Sequence, residues 1–272
     1  MTTERLVPVA PGVRAIALET PTLAPATHTN CYLLGARDVI LVEPASPRRR
    51  EQSRLFEALE EREVRVRAVF LTHHHLDHVG AVEAVRERTG APVWAHAETA
   101  SRLPFAVERL ILDGERLEDD EGRVWRSAHT PGHAPGHLCL LDDEGTVLAG
   151  DMVAGTGTIL IEPSEGNMRQ YLDSLRSLRE VARLLLPSHG PALAEAAEVI
   201  DRYVGHRLGR EAKVREALRA CGPASLDTLL PCAYGDAPLA VWPLARLSLE
   251  AHVAKLIEDG EVARDGETLW LV

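Results

Sequence analysis

Long apolar runs are missing from this chain of 272 residues, and so is the pattern that directs export. No stretch approaches the roughly 20 consecutive apolar residues that a membrane-spanning helix requires. The first 13 residues contain acid and proline where a signal peptide has a basic patch and an apolar core. We therefore expect a soluble, cytoplasmic protein with no membrane partner.

Aromatic residues and lysines are also scarce. Phe, Trp and Tyr together make up 4% of the chain, and Lys213 and Lys255 are its two lysines. The formal net charge is −11. This charge disfavours a strong, unspecific grip on nucleic acid, because such binding requires Lys and Arg to neutralise phosphates. It does not exclude a nuclease with a local basic track.

Cysteine occurs four times, at scattered positions. Cys31 and Cys139 lie in apolar runs, and the other two are Cys221 and Cys232. We expect buried free thiols and no disulfides, which is typical of a protein in a reducing compartment.

The chain contains a regular succession of strand and helix patterns. Short apolar bursts separated by Pro, Gly and Asn predict a β-rich opening up to residue 42. Helices are predicted at 47–62, 79–88 and 168–182, and a helical stretch at 192–220 is expected to be interrupted near Gly205 and Gly209. The strands predicted after the opening are 64–71, 92–96, 109–112, 124–128, 137–141, 146–149 and 183–186.

The densest group of metal-binding side chains follows a predicted strand directly. Its sequence is His73-x-His75-x-Asp77-His78, four good ligands within six residues. Alternate residues of an extended segment point the same way, so His73 and His75 can converge on one ion. Asp77 and His78 fall on the turn into the next helix and can face a second ion. Imidazole and carboxylate donors without thiolate suit catalytic zinc, iron or manganese. We expect His74 not to be a ligand.

Three later loops supply the remaining candidate ligands, and each follows or ends a predicted strand. The first contains His133 within Thr-Pro-Gly-His, the second is Gly-Asp with Asp151, and the third is Pro-Ser-His-Gly with His189. A single such motif is common. Their order and their placement at strand ends make the set specific.

This ordered set of motifs resembles the signature of the metallo-β-lactamase superfamily over roughly residues 1 to 200. The resemblance implies an α/β fold, the αββα sandwich, as a catalytic domain over residues 1–205. It also implies a site with two metal ions, for which two Zn²⁺ are expected and iron or manganese are alternatives. By this resemblance, one metal is held by His73, His75 and His133, the other by Asp77, His78 and His189, and Asp151 bridges them. The diiron flavoproteins of the superfamily typically have glutamate at the place of His75, so hydrolysis is favoured over a redox role.

Residues 206–272 have the pattern of a small separate domain. Helical patterns at 225–230 and 238–258 precede two short strands around Asp265-Gly266, which is the order of a winged helix. In this order of elements, the chain is similar to the lactamase-beta-like branch of the superfamily, whose members carry a C-terminal winged helix.

The charge of this tail tests whether it grips nucleic acid. From Asp201 to Val272 there are nine basic and eleven acidic residues, so the tail is not an evident clamp. Arg202, His206, Arg210 and Lys213 do recur at helical spacing and could line one face toward the substrate. A solvated face is the favoured interpretation.

Two cations about 3.5–4 Å apart can hold a shared water as hydroxide near neutral pH and polarise a substrate oxygen. We therefore predict a binuclear hydrolase with a metal-bridging hydroxide as the nucleophile. Asp77 is expected to orient this hydroxide or take its proton, and Asp151 to keep the ions at their distance. Thr72, His129 and His137 are candidates for fixing the orientation of a ligand.

The substrate is predicted less directly. No unambiguous acid for the leaving group is visible, which favours thioesters or activated esters, because a thiolate departs without a proton. The alternative is a single-strand endoribonuclease, as in characterised animal members of the winged-helix branch. An iron-dependent mononuclear dioxygenase, a β-lactamase and a DNA-binding regulator are less favoured. A small-molecule substrate is expected, with RNA as the alternative partner and a homo-oligomer left open. Residues 103–105 and 155–166 are predicted to form the walls of the site.

Overall fold

The structure is a computed structural model and describes residues 5–272. Its first sheet has seven strands that lie side by side in chain order. These strands are β1 (Val7–Ala10), β2 (Val13–Glu19), β3 (His28–Leu34), β4 (Asp38–Val42), β5 (Arg65–Phe70), β6 (Val93–Ala95) and β7 (Arg109–Leu110).

The second sheet has five strands. They are β8 (Arg116–Glu118), β9 (Val124–His129), β10 (Leu138–Asp142), β11 (Thr146–Gly150) and β12 (Leu184–Pro187). Their spatial order is β12-β11-β10-β9-β8, in which β11 and β12 are parallel and the other neighbours antiparallel. A separate hairpin near the C-terminus consists of β13 (Val262–Asp265) and β14 (Thr268–Leu271).

Eight α-helices cover these sheets or form the C-terminal unit, as counted over residues 5–272. They are α1 (Arg49–Glu61), α2 (Leu76–Val79), α3 (Val82–Thr89), α4 (Ala97–Ala100), α5 (Met168–Arg179), α6 (Ala196–Cys221), α7 (Leu226–Tyr234) and α8 (Trp242–Glu258). A short 3₁₀ turn at Leu239–Val241 precedes α8.

Four layers result from where the apolar residues face. Between the two sheets, Phe70 of β5 belongs to the same core as Trp125 of β9 and Leu140 of β10. On the outer side of the first sheet, Leu55 of α1 packs into a second core. On the outer side of the second sheet, α5 and α6 pack into a third. The predicted αββα sandwich is thereby confirmed.

The topology gathers several strand ends at one edge. Strands β4 and β5 are parallel, as are β11 and β12, so their carboxyl ends open on the same side of each sheet. Such edges are where α/β folds form their ligand sites, because the loops that follow the strands converge there. The predicted ligand-bearing loops follow β5, β9, β11 and β12.

The C-terminal unit is a winged helix with a core of its own. Residues from the end of α6, from α7 and α8 and from the hairpin pack together, including Leu229 of α7, Leu249 of α8 and Leu269 of β14. Helix α6 enters this unit from the catalytic body without a break, so the predicted boundary between residues 205 and 206 lies inside a helix.

Three details differ from the sequence prediction. The interruption near Gly205 and Gly209 is wrong, because packing of the buried face of α6 overrides the low helix propensity of glycine. The edge strand β8 was not predicted, because its three residues are too few to establish a period. Cys221 and Cys232 are exposed, not buried, with their Sγ atoms 3.6 Å apart, whereas Cys31 and Cys139 are buried free thiols as predicted.

Within residues 5–272, no helix combines the length and apolar character needed to cross a bilayer.

Substitution of Gly205 tests whether α6 is continuous at this position. Gly205 is exposed, and a Cβ added there meets no atom within 4 Å. We expect Gly205→Ala to raise the free energy of unfolding by roughly 0.5–1 kcal/mol, because glycine is entropically unfavourable inside a helix. Chemical denaturation of the metal-free protein would measure this. A lower stability in the variant would show that the helix is broken at this position in solution.

Candidate metal centre

Three imidazoles converge at the end of β5. Nε2 of His73 lies 3.0 Å from Nδ1 of His75, and Nε2 of His133 lies 3.3 Å and 3.1 Å from these two atoms. His73 and His133 are buried, and His75 opens onto a cavity. The structure thus brings together the three residues predicted to hold one metal.

A second group lies beside the first. Nε2 of His78 is 3.7 Å from Oδ1 of Asp77, and Nε2 of His189 is 3.6 Å from Oδ2 of the same carboxylate. Asp151 contacts both groups: Oδ2 is 3.5 Å from Nε2 of His133 and 3.6 Å from Nε2 of His78, and Oδ1 is 3.4 Å from Nε2 of His189. This is the position that a bridging carboxylate requires.

Each of the five imidazoles has an acceptor for its other ring nitrogen, which fixes the ring orientation. The outward N–H groups of His73, His133 and His189 donate to the Thr72 hydroxyl, the Leu160 carbonyl and the His28 carbonyl, at 2.9, 2.8 and 3.0 Å. Those of His75 and His78 donate to the carboxylates of Glu165 and Glu43, at 2.5 and 2.9 Å. In the neutral form of each ring, the inward nitrogen is thereby the one that carries a lone pair.

Glu43, at the end of β4, is a functional residue that sequence reasoning missed. Its buried carboxylate accepts hydrogen bonds from the hydroxyls of Thr72 and Ser188 and from Nδ1 of His78. The backbone of Glu43 has φ 54°, a left-handed conformation that is unfavourable for a residue with a side chain. The only sequence signal was an acid at the end of an apolar strand.

Glu165 explains the role of His74 and was likewise missed. Its two carboxylate oxygens accept from Nε2 of His74, at 2.8 Å, and from Nε2 of His75. His74 therefore buttresses the carboxylate that orients His75. That His74 is not itself a ligand stays a prediction.

The other predicted supporting residues divide into two kinds. His137 accepts a hydrogen bond from the backbone N–H of Asp151 at 3.1 Å, and so positions that residue directly. This approach requires glycine at position 150, where φ is 51° and a Cβ would lie 2.4 Å from the His137 ring. His129 bonds the carbonyl of Pro135 and stacks on His96, and so stabilises the loop without contacting a candidate ligand.

The two groups differ in their electrostatics. Burial lowers the pKa of His133 to about 4, and burial together with the neighbouring imidazoles holds the pKa of His73 well below its usual range. For His78, burial acts in the same direction, but the carboxylates of Glu43 and Asp151 outweigh it and raise the pKa well above the usual value. The pKa of Asp151 is held well below its usual range, since His78 and His189 outweigh its burial.

These residues fit a pair of metal ions. Tetrahedral ligands at Zn–N distances of about 2.0–2.1 Å are separated by about 3.3 Å from one another, close to the spacings of the first group. Three nitrogens with their lone pairs toward one point repel each other unless a cation lies between them. In addition, Nε2 of His78 and Oδ1 of Asp151 are buried atoms without a hydrogen-bond partner, which a metal would satisfy.

A cavity of about 250 Å³ gives access to both groups. Part of its wall is the predicted segment 155–166, through Thr156, Thr158, Leu160, Glu162 and Glu165. The opposite wall is Pro21, Thr22, Leu23 and Ala26, which the sequence did not indicate. The prediction that residues 103–105 form a wall is wrong, because Leu103 and Phe105 pack against the core of the first sheet.

Substitution of Glu43 tests whether its carboxylate supports metal binding. We expect Glu43→Gln to weaken metal binding roughly 10- to 100-fold, because the amide no longer offers His78 a charged acceptor. Competition with a chromophoric chelator would measure the affinity, with circular dichroism to check the fold.

Glu162→Gln is the matched control for this change. Glu162 lines the same cavity but bonds Ser164 and no candidate ligand, so its affinity should match that of the unmodified protein. Equal affinities for a folded Glu43→Gln variant and this control would contradict the role given to Glu43.

Comparison with known proteins agrees with the architecture. The profile of the metallo-β-lactamase superfamily matches residues 24–189, and that of the β-lactamase-associated winged helix domain matches residues 225–270. A β-lactamase-like protein 2 homolog from Drosophila melanogaster is 26% identical over 253 residues, covering 86% of this chain and 84% of its own. An atrochrysone carboxyl ACP thioesterase from Aspergillus fumigatus is 28% identical over 228 residues, covering 77% and 69%.

Among solved structures, that of a metallo-β-lactamase family protein from Thermus thermophilus is similar over 97% of this chain and 99% of its own. The TM-score is 0.81 and the sequence identity 25%. We conclude that this chain is a hydrolase of the metallo-β-lactamase superfamily with a C-terminal winged-helix domain.

Proposed function

We propose that this hydrolase cleaves acyl thioesters of small molecules at a two-zinc centre. The proposed ligands are the seven side chains His73, His75, Asp77, His78, His133, Asp151 and His189. The observation on which the choice of substrate rests is the lining of the metal cavity, where the described residues include no group placed to protonate a leaving group.

The cavity offers two titratable side chains besides the proposed ligands. Hydrogen bonds from His74 and His75 hold the pKa of Glu165 far below its usual range, so this residue is a carboxylate. Glu165 therefore cannot serve as an acid near neutral pH. The Oε2 atom of Glu162 is engaged by hydrogen bonds from the backbone and the hydroxyl of Ser164. A thiol with a pKa near 8.5 can leave as a thiolate, whereas an amine or a ribose oxygen needs a proton.

The charge of the cavity also disfavours a phosphodiester. Its described lining contains four carboxylates, those of Asp77, Asp151, Glu162 and Glu165, and neither lysine nor arginine. Phosphoryl groups are usually held by Arg or Lys as well as by metals. On the winged helix, Arg210 and Lys213 of the predicted basic face both pair with Asp236, which neutralises part of that face.

The relative from Aspergillus fumigatus supports the proposal by its name, which is that of an ACP thioesterase. This chain covers more than two thirds of that protein, so the likeness includes most of the catalytic body. At 28% identity it supports the type of bond and not the acyl group.

In the proposed reaction, water adds to the thioester carbon, the C–S bond breaks and its electron pair leaves on sulfur. A carboxylic acid and a thiol result. A pair of divalent cations, when bound, supplies Lewis-acid polarisation of the carbonyl and makes water easier to deprotonate. Asp77 is partly exposed at the cavity, 17% by side-chain area, and is the carboxylate placed to take the proton of the attacking water. The proton is then available to the departing sulfur.

The remaining assignments follow from the donor set and the sequence. Nitrogen and oxygen donors without thiolate favour zinc, with iron or manganese as alternatives. A cytoplasmic location, a small-molecule partner and the open question of a homo-oligomer stay as predictions from the sequence.

A panel of matched substrates tests the proposal. With the zinc-loaded protein, kcat/KM should be higher for an acyl thioester than for the oxygen ester of the same acyl group, and a short single-stranded RNA should stay intact. Asp77→Asn should lower kcat on the thioester by roughly 10²- to 10⁴-fold, because the proton acceptor is lost.

Asp173→Asn is the matched control for this substitution. Asp173 is exposed on α5 and pairs with Arg176, away from the cavity, so kcat should not change. RNA cleavage that is lost in Asp77→Asn and kept in Asp173→Asn, without thioester turnover, would reverse the choice of substrate.

A further inference from the structure

A second cavity lies between the catalytic body and the winged helix. Its volume is about 520 Å³, roughly twice that of the metal cavity. One wall is formed by residues 23–25 and 157–160 of the body, and the other by side chains of α6, α7 and α8. Neither the proposed metal ligands nor the hydrolytic step makes use of it.

The two cavities share part of their walls. Leu23, Thr158 and Leu160 line both. The shared segment is held from both sides, since the carbonyl of Leu160 accepts from His133 and the carbonyl of Ile159 accepts from Arg207. A substrate whose reacting bond lies at the metal centre can therefore extend past Leu23 into the second cavity.

Size supports such an extension. The metal cavity alone, at about 250 Å³, is smaller than the roughly 300–1,000 Å³ of most ligand pockets, whereas the second lies within that range. Its lining is rich in apolar side chains. Leu23 and Val241 are large apolar residues with 45% and 42% exposure, which an extended chain would cover.

The polar groups of this cavity are donors and cations. His206, Arg207 and Arg210 line it, and no described acidic side chain does. Arg207 is buried, its Nε has no hydrogen-bond partner, and none of the ion pairs found within residues 5–272 includes it. The hydroxyl of Tyr234, which also lines the cavity, is buried without a partner. Unpaired buried donors of this kind are costly, and an anionic group would satisfy them.

The positive charge of Arg207 also affects His252, a buried histidine of α8. His252 is fully buried and neither of its ring nitrogens has a partner. Burial, reinforced by the charges of Arg207 and His206, lowers the pKa of His252 to about 3. Arg210 is paired with Asp236, so the unpaired positive charge of the second cavity is that of Arg207, whereas the metal cavity is lined by carboxylates.

We propose that the second cavity binds the distal end of the thioester substrate, an apolar chain that ends in an anionic group held by Arg207 and Tyr234. This inference rests on the proposed thioester hydrolysis. The anion is either a carboxylate at the far end of the acyl chain or a phosphate on the thiol side.

Three thioesters distinguish these sources. The first joins a neutral acyl chain to N-acetylcysteamine, the second carries a terminal carboxylate on the same chain, and the third joins the neutral chain to coenzyme A. For one or both anionic compounds, KM should be at least about tenfold lower than for the neutral compound, as expected for one charged hydrogen bond. A preference for the second compound assigns the cavity to the acyl end, and a preference for the third assigns it to the thiol end.

Two variants locate the preference. Tyr234→Phe removes an unpartnered hydroxyl, so the fold should be kept. Arg207→Gln removes the buried charge. Each should raise KM for the anionic compounds to near the neutral value, so that the difference in KM between anionic and neutral compounds is lost. Arg202→Gln is the matched control, because Arg202 is exposed on the same helix and does not line the cavity.

Binding of thioether analogues separates this inference from the proposed function. These compounds replace the carbonyl by a methylene and cannot be hydrolysed, so calorimetry reports the second cavity even if no thioester is turned over. Tighter binding of an anionic thioether that is lost in Tyr234→Phe or Arg207→Gln supports the inference. Equal binding of neutral and anionic thioethers, or a preference unchanged in both variants, would overturn it.

Discussion

Hydrogen bonds to the buried carboxylate of Glu43 hold the candidate metal centre together. This carboxylate lies at the end of β4 and binds Thr72 after β5, His78 at the start of the next helix and Ser188 after β12. Three strand ends from both sheets are thus joined through one group. Burying a carboxylate is strongly unfavourable unless its oxygens accept hydrogen bonds. The arrangement that supplies these hydrogen bonds to Glu43 also brings the candidate ligands together.

The two cavities of the molecule have side chains of opposite charge in their walls. The metal cavity is lined by carboxylates that cations would balance, and the second cavity by basic groups without acids among its described lining. The segment from Thr158 to Leu160 borders both. The winged helix therefore contributes a wall beside the active site, which gives this domain a role that does not require nucleic acid.

The sequence predicted the parts of the site that depend on local order. Strand ends followed by His-x-His-x-Asp-His, Gly-Asp and Ser-His are local patterns, and the parallel topology that joins them follows from the strand–helix alternation. The layers of the sandwich were predicted through the resemblance to the metallo-β-lactamase superfamily. The structure brings all seven candidate ligands together, while their binding of metal is a proposal.

What the sequence did not reveal depends on contacts between distant segments. Glu43 and Glu165 are ordinary acids in sequence, and only their partners at His78, His74 and His75 show their role. Residues 103–105 were expected at the cavity, but Leu103 and Phe105 pack against the core of the first sheet. Helix α6 is continuous through two glycines because packing on both domains outweighs their propensity.

The number of metal ions bound by the purified protein distinguishes a two-metal centre from a single site. Elemental analysis after dialysis against excess zinc, followed by removal of loosely bound ions, gives the number of ions per chain. Seven donors in two groups joined by Asp151 predict a value that approaches two. A value that stays at one under zinc excess would contradict the two-metal centre.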